Sequence, residues 1–398
     1  KNNTTGVISA TETGGSATSN TATLTVVGAP TLSKGFTPST VIVGQTSSLG
    51  FTITNSNTTV ALTGIGFTDT LPAGMVVGTS STSTCGGTLT TTAPNQIAFS
   101  GGTLAAGNPS PTTCTFSVTV TATAIGSLVN TTGTISSTES GPGGTATATL
   151  TVTKANTTTT ITADTPDPSV TGQAYAVTAI VAVVSPGTGT PTGTITVSDG
   201  LGGTCTITLP ATSCNLTSTT AGAKTLTATY NGDVNFNGST SAGVSHTVNK
   251  ADTTAAITSD APDPSVVGQG VTVTYTVSAT SPGSGTPTGN VQVSDGVNSC
   301  VGTVAAGQCV IALFTPGVRT LTATYQGDAN YNASPASVGA GHQVNKANTT
   351  TAIINDTPDP SVIGQNYAVT ASVTVNPPGS GTPTGTITVT DGANNCTI

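Results

Sequence analysis

Charge is nearly missing from this sequence. Only 6% of its 398 residues are Asp, Glu, Lys or Arg. There is one arginine (Arg319), two glutamates (Glu12 and Glu139), two histidines (His246 and His342), one methionine and no tryptophan. Each gap excludes something. Seven basic residues form no patch that could neutralise a phosphate backbone, which rules out nucleic acid as a partner. No apolar run approaches the ~20 residues of a membrane helix, so no membrane insertion is expected in this stretch. The longest run, residues 179–184, is short, rich in β-branched residues and flanked by turn formers, and reads as a buried strand. No G-x-S-x-G elbow, H-E-x-x-H helix or Walker loop occurs. Disordered chains are apolar-poor and highly charged, whereas this one is 34% hydrophobic in alternating runs.

What is abundant is threonine, more than a fifth of the chain, with 49 glycines and 23 prolines. That mixture disfavours helix and favours strands joined by tight turns. The strands repeat. The string V-x-K-A-x-T-T carries Lys154, Lys250 and Lys346, and D-P-S-V-x-G-Q starts at Asp167, Asp263 and Asp359, each 96 residues apart. A second repeat of about 127 residues relates Asn3-Thr4-Thr5-Gly6 to Asn130-Thr131-Thr132-Gly133. The periods divide the chain into a fragment (1–27), a complete unit of the same kind (28–153), two complete 96-residue units (154–249 and 250–345) and a half unit (346–398). Both terminal pieces read as parts of a longer array.

Within a 96-residue unit, strands are expected over 156–163, 174–184 and 193–197, then in a cysteine hairpin, then over 224–230 and 244–248. A break is expected at 164–168, where Asp-Thr-Pro-Asp-Pro interrupts. About seven strands at this spacing make a sandwich of two sheets around one core. The fold class is all-β: a tandem array of β-sandwich domains forming an elongated rod.

The cysteines come in spaced pairs. Cys205 and Cys214 bracket eight residues, as do Cys300 and Cys309. Residues 204–209 and 213–217 alternate around Pro210-Ala211, so a hairpin centred there puts Cys205 opposite Cys214, within disulfide range. Cys85 and Cys114 form a third candidate pair. Cys396 aligns with Cys205 and Cys300, and its partner is expected about nine residues on, past Ile398. Paired cysteines point to an oxidising, extracellular or cell-surface location. A metal site is disfavoured by the absence of C-x-x-C and by the distance of the histidines from the cysteines in sequence.

Two stretches carry a resemblance. Residues 230–236 (Tyr-Asn-Gly-Asp-Val-Asn-Phe) and 325–331 (Tyr-Gln-Gly-Asp-Ala-Asn-Tyr) look like the Y-x-G-D-x-N-[FY] signature of bacterial Ig-like repeats. Residues 190–200 are similar to that family's P-x-G-x-V-x-F-x-D-G stretch, with Val197 or Val293 where an aromatic residue is common. Residues 67–74, Phe-Thr-Asp-Thr-Leu-Pro-Ala-Gly, resemble the D-x-L-P-x-G motif of another bacterial surface β-sandwich repeat, and the stretches at Cys85 and Cys114 match it too. The first resemblance implies Ig-like domains of long bacterial surface proteins: adhesins, stalks and filamentous appendages. The second implies no activity.

Candidate chemistry is thin. His246 and His342 are one position in two copies, as are Glu12 and Glu139, so candidate acids and bases are duplicated in separate domains rather than converging on one site. A strand histidine that is satisfied or solvent-facing is the plain reading. No cofactor is expected. Calcium at domain junctions is the competing reading of Asp164 with Asp167, Asp260 with Asp263, Asp356 with Asp359, and of Asp233 and Asp328. Ordinary Asx and proline turns explain the same residues. Pilin-like Ig domains can form a Lys–Asn amide beside a buried acid, but Lys154, Lys250 and Lys346 lie at domain boundaries in units without glutamate and read as solvated. N-x-[ST] sequons at Asn57, Asn130, Asn215, Asn237 and Asn332 are what chance gives in such a composition.

No flexible Gly/Ser spacer separates the units, so a semi-rigid rod is expected. The function expected is non-enzymatic: a structural repeat region of a large extracellular surface protein, as stalk or filament. The alternative is the spacer of an adhesin whose binding domain lies elsewhere. Edge strands are Thr-rich and nearly uncharged, which suits lateral or end-to-end association with other copies or neighbouring repeats. The half unit 346–398 is expected to need strands from further chain or from a neighbour to bury a core.

Overall fold

The computed structural model describes residues 24–398 and, before them, only four two-residue strand segments. The fragment 1–27 therefore lies largely outside the described residues. Among the described residues all regular structure is β. Among the described residues no helix is long and apolar enough to cross a membrane.

The unit from Thr31 to Thr153 holds three sheets. A four-stranded one orders Thr31–Thr37, Thr46–Asn55, Thr112–Ala122 and Met75–Ser80. A five-stranded one orders Thr88–Thr92, Gln96–Leu104, Leu62–Thr70, Ser136–Ser137 and Gly141–Pro142. A third holds Gly126–Thr131, Thr147–Thr153 and, parallel to the latter, Thr40–Ile42. Alternation makes these strands. Along Thr46–Asn55, Ser47, Leu49, Phe51, Ile53 and Asn55 are buried while their neighbours are not, the period of a sheet with one face in a core. Phe51, Phe67, Phe99 and Phe116 fill the middle of that core, with centroid separations of 5.0–6.2 Å.

Each complete 96-residue unit is a two-sheet sandwich. In the first, Thr157–Thr165, Ala174–Val183 and Ser213–Thr217 form one sheet. The other runs Ser169–Val170, Val244–Asn249, Gly222–Tyr230, Thr194–Ser198 and Thr204–Thr208. The second unit repeats this order, and a register shift after Ile161 recurs after Ile257 and Ile353. Tyr175, Val177, Ile195, Val197, Leu226 and Tyr230 are the buried faces of the first unit's strands. Residues 349–357 and 368–375 pair with each other, but Ile353 and Ile354 on the first of these strands are exposed, as is Val362 in the segment between them.

Two local expectations are corrected. The first strand does not break at Asp164; it runs on to Thr165 and the turn follows. The cysteine strands do not form a hairpin. Thr204–Thr208 pairs with Thr194–Ser198, and Ser213–Thr217 pairs with Ala174–Val183 in the opposite sheet. The reason is burial. Ile207 and Leu216 are both fully buried, and pairing the strands in different sheets lets both side chains enter one core from opposite faces. Pro210 lies in the crossover between sheets. The disulfide Cys205–Cys214, with Cα atoms 6.0 Å apart, thus links sheet to sheet. Cys300–Cys309 does the same with 6.0 Å between Cα atoms. Cys85–Cys114 ties a loop to the Thr112–Ala122 strand with 5.0 Å between Cα atoms. Cys396 is free and exposed.

Candidate functional site: a repeated joint and two buried polar clusters

The repeated strings meet at the joints between domains. V-x-G-Q folds into a tight turn: Val170 N–H donates to Gln173 Oε1 at 3.0 Å and Gln173 N–H to the Val170 carbonyl at 2.9 Å. This places Gly172 at the tip with φ of 76°. The next domain's S-P-G-S loop docks on that tip. Ser284 Oγ donates to the Gly172 carbonyl at 2.7 Å, and Ser284 N–H donates to the Thr171 carbonyl at 3.2 Å. One repeat later Ser380 makes the same two bonds to Gly268 and Val267, at 2.7 and 3.1 Å. A Cβ on Gly172 would lie 2.3 Å from the Ser284 carbonyl oxygen, so glycine is required by both conformation and space.

The first unit carries the same device, which was not expected from its sequence. Val43-Gly44-Gln45 forms the same turn, with Ile42 N–H on Gln45 Oε1 at 3.0 Å and Gly44 at φ of 88°. Thr188 Oγ1 donates to the Gly44 carbonyl at 3.2 Å. The shared pattern of Ile or Val, any residue, then Gly-Gln, at 42–45 as at 170–173 and 266–269, was the available signal across two otherwise different repeats. The joint also buries apolar surface. Ala155 and Ala251, from V-x-K-A, are fully buried beneath the P-G loops, and Val170 packs on the core of the following unit. Asn330 Oδ1 accepts from Ala221 N–H across the same joint at 3.0 Å.

Lys154 and Lys250 are not simply solvated. Each donates Nζ to the carbonyl of the Asp in its domain's G-D loop, Asp233 or Asp328, at 2.5 Å. That Asp closes the loop. Asp328 Oδ2 accepts from Thr288 N–H and Oγ1 at 2.9 and 2.6 Å, and Oδ1 accepts from Asn330 and Tyr331 N–H at 2.7 and 2.8 Å. Burial alone would raise the Asp328 pKa, but these donors outweigh it and hold it at about 2. Asp233 is tied the same way and is likewise lowered, against its burial. With four donors on each carboxylate, the Y-x-G-D-x-N-[FY] loop reads as a self-closed turn rather than a cation cradle.

The first polar cluster surrounds each histidine. His246 Nε2 lies 2.8 Å from Ser169 Oγ, and Nδ1 lies 2.8 Å from Asp164 Oδ2 and 3.5 Å from Asp167 Oδ1. Tyr175 stacks on the ring at 3.9 Å. His342, Ser265, Asp260 and Asp263 repeat the arrangement. The order Ser–His–Asp is that of a hydrolytic triad, but Ser169 and His246 are each only 1% exposed, so no substrate carbonyl can reach the hydroxyl. The two carboxylates and an imidazole also lie close enough to share a metal ion. Calcium takes six to eight oxygens, which this set does not supply. What the cluster does in place is join three strands: Thr157–Thr165, Ser169–Val170 and Val244–Asn249.

The second cluster lies in the first unit and was not foreseen. Lys34, on Thr31–Thr37, donates Nζ to Asp69 Oδ2 at 3.1 Å; both side chains are 0% exposed. Asn130, on Gly126–Thr131, donates Nδ2 to the same oxygen at 3.0 Å. Asp69 Oδ1 and Asn130 Oδ1 are buried without a hydrogen-bond partner. Burial lowers the Lys34 pKa, opposed by the charge and hydrogen bond of Asp69. Asp69 is the Asp of D-x-L-P-x-G, and Asn130 heads the string that recurs at Asn3. Asn130 is 1% exposed, so its sequon is closed to modification in the folded domain.

Comparison with known proteins decides the class. Residues 161–249 and 257–343 each match the model of the bacterial Ig-like domain (group 3). These two units are Ig-like repeats. Residues 30–152 match a domain of unknown function, DUF7933. No curated protein sequence matches the chain. Among solved structures, fibronectin(III)-like modules of CbhA from Clostridium thermocellum align at 18% identity and TM-score 0.20, over 47% of this chain and 94% of theirs. The D312A form of BcpA, the major pilin subunit of Bacillus cereus, aligns at 8% identity and TM-score 0.27, over 55% and 66%. The Escherichia coli adhesin FdeC aligns at 12% identity and TM-score 0.22, over 79% and 96%.

Proposed function

We propose that this chain is a load-bearing structural segment of a bacterial extracellular protein, a semi-rigid stalk or filament built by adding Ig-like units end to end. The carrying observation is the joint. One glycine turn and one Ser/Thr loop meet at three successive boundaries with the same donor and acceptor. Such a joint sets the angle between units. The sheet-to-sheet disulfides and the sealed Ser–His–Asp clusters brace each Ig-like unit, and both suit durability outside the cell rather than turnover of a substrate. Electron microscopy of the native material tests the reading. A polymer or a fringe of straight stalks supports it; compact globular particles contradict it.

A further inference from the structure

Lys34, Asp69 and Asn130 are brought together from three sheets into one sealed site. A structural ion pair explains them poorly. Burying an ammonium and a carboxylate is costly unless every lone pair is used, and here the carboxylate offers one oxygen to two donors while Asp69 Oδ1 and Asn130 Oδ1 have none. The surroundings are apolar. Lys34 Nζ lies 6.0 Å from the centroid of the Phe51 ring, which stacks on Phe116 at 5.0 Å, and Phe67 and Phe99 complete the wall. What the geometry presents is an amine and a carboxamide side by side on a shared proton carrier.

We propose that Lys34 and Asn130 form an intramolecular amide bond, with Asp69 as the catalytic acid–base. Asp69 accepts a proton from the Lys34 ammonium across their hydrogen bond, leaving a neutral amine. The Nζ lone pair adds to Asn130 Cγ, forming the new C–N bond. The old Cγ–Nδ2 bond then breaks, and Asp69 returns a proton to the departing Nδ2, to which it is already hydrogen-bonded. Ammonia leaves, carrying the remaining proton as ammonium. Asp69 ends as it began, and no oxidant, water or cofactor enters the balance. Burial favours the neutral amine, in keeping with the lowered Lys34 pKa. The bond would join the first strand of the unit, Thr31–Thr37, to Gly126–Thr131, near its end, and so close most of the domain into one covalent ring.

Intact-mass spectrometry of the purified full chain, with disulfides reduced, tests this directly. The expected result is a mass below the sequence value by one ammonia. Proteolysis should then give a branched peptide joining the segment around Lys34 to that around Asn130, with no cleavage after Lys34. Asp69→Ala keeps both reacting residues and is expected to restore the full mass, as are Lys34→Arg and Asn130→Ala. Full mass in the wild-type chain with tryptic cleavage after Lys34 overturns the proposal. So does an ammonia deficit without a branched peptide, which would be an asparagine succinimide, or a deficit of one water, which would place the bond on Asp69. The wild-type result decides the matter even where a variant fails to fold.

Discussion

Single carboxylates hold the Ig-like loops. Asp328 gathers four donors, so Asp328→Ala would leave them without an acceptor and is expected to destabilise its unit by about 1–3 kcal/mol, measured by urea denaturation. The pH dependence follows from the depressed pKa. The folded value is about 2, against roughly 3.9 for an unfolded aspartate. The Asp328 contribution is therefore fully present above about pH 4 and lost as pH falls toward about 2. A wild-type minus Asp328→Ala stability difference that stays constant between pH 5 and pH 2 would contradict this. At this scale the sequence was half legible. The aspartate of the G-D loop could be singled out as a turn former. Its partner Thr288 could not, because 40 residues separate them and only the sheet topology brings them together. The Lys34, Asp69 and Asn130 cluster was hidden for the same reason, at separations of 35 and 61 residues. Of the repeated lysines, which read as solvated from the sequence, Lys154 and Lys250 hold loop carbonyls.

Strands were easier to read than their pairing. Alternation located the strands of the 96-residue unit to within a few residues, because the period of two depends only on which face is wet. Pairing depends on which sheet each strand joins, and two short strands around a proline look like a hairpin whether or not they are one. Ile207 and Leu216 settle it by entering the core from opposite sheets. The Cys205–Cys214 bond therefore constrains the sandwich rather than a turn. Replacing both cysteines by alanine is expected to cost about 2–3 kcal/mol for so small a loop, read as a lower unfolding midpoint in urea. A loss confined to local exchange of amides 205–214, with the global midpoint unmoved, would mean the bond braces only the crossover. The sealed histidine is a second brace. His246→Ala leaves Ser169 and Asp164 without their shared partner, and an expected cost of about 2–3 kcal/mol should appear in the same assay.

The whole molecule is governed by its joints. The motif V-x-G-Q was visible as a repeat, but its meaning required the next domain's loop to be seen on the glycine. Gly172→Val and Gly268→Val force a side chain into space held by Ser284 and Ser380, at a backbone conformation that L residues rarely adopt. Each variant should loosen one joint. Because the left-handed turn belongs to the unit that carries it, each should also lower that unit's stability, by only about 1–2 kcal/mol, leaving the unit folded. If Ig-like units run ~30–40 Å along their strands, a chain of fixed joints is several times longer than it is wide. Small-angle X-ray scattering of the full chain measures that most directly. The account predicts a rod-like profile with a single well-defined cross-section, and a shortened, broadened distance distribution in the Gly172→Val and Gly268→Val double variant. A wild-type profile of freely jointed domains, unchanged by those substitutions, would contradict it.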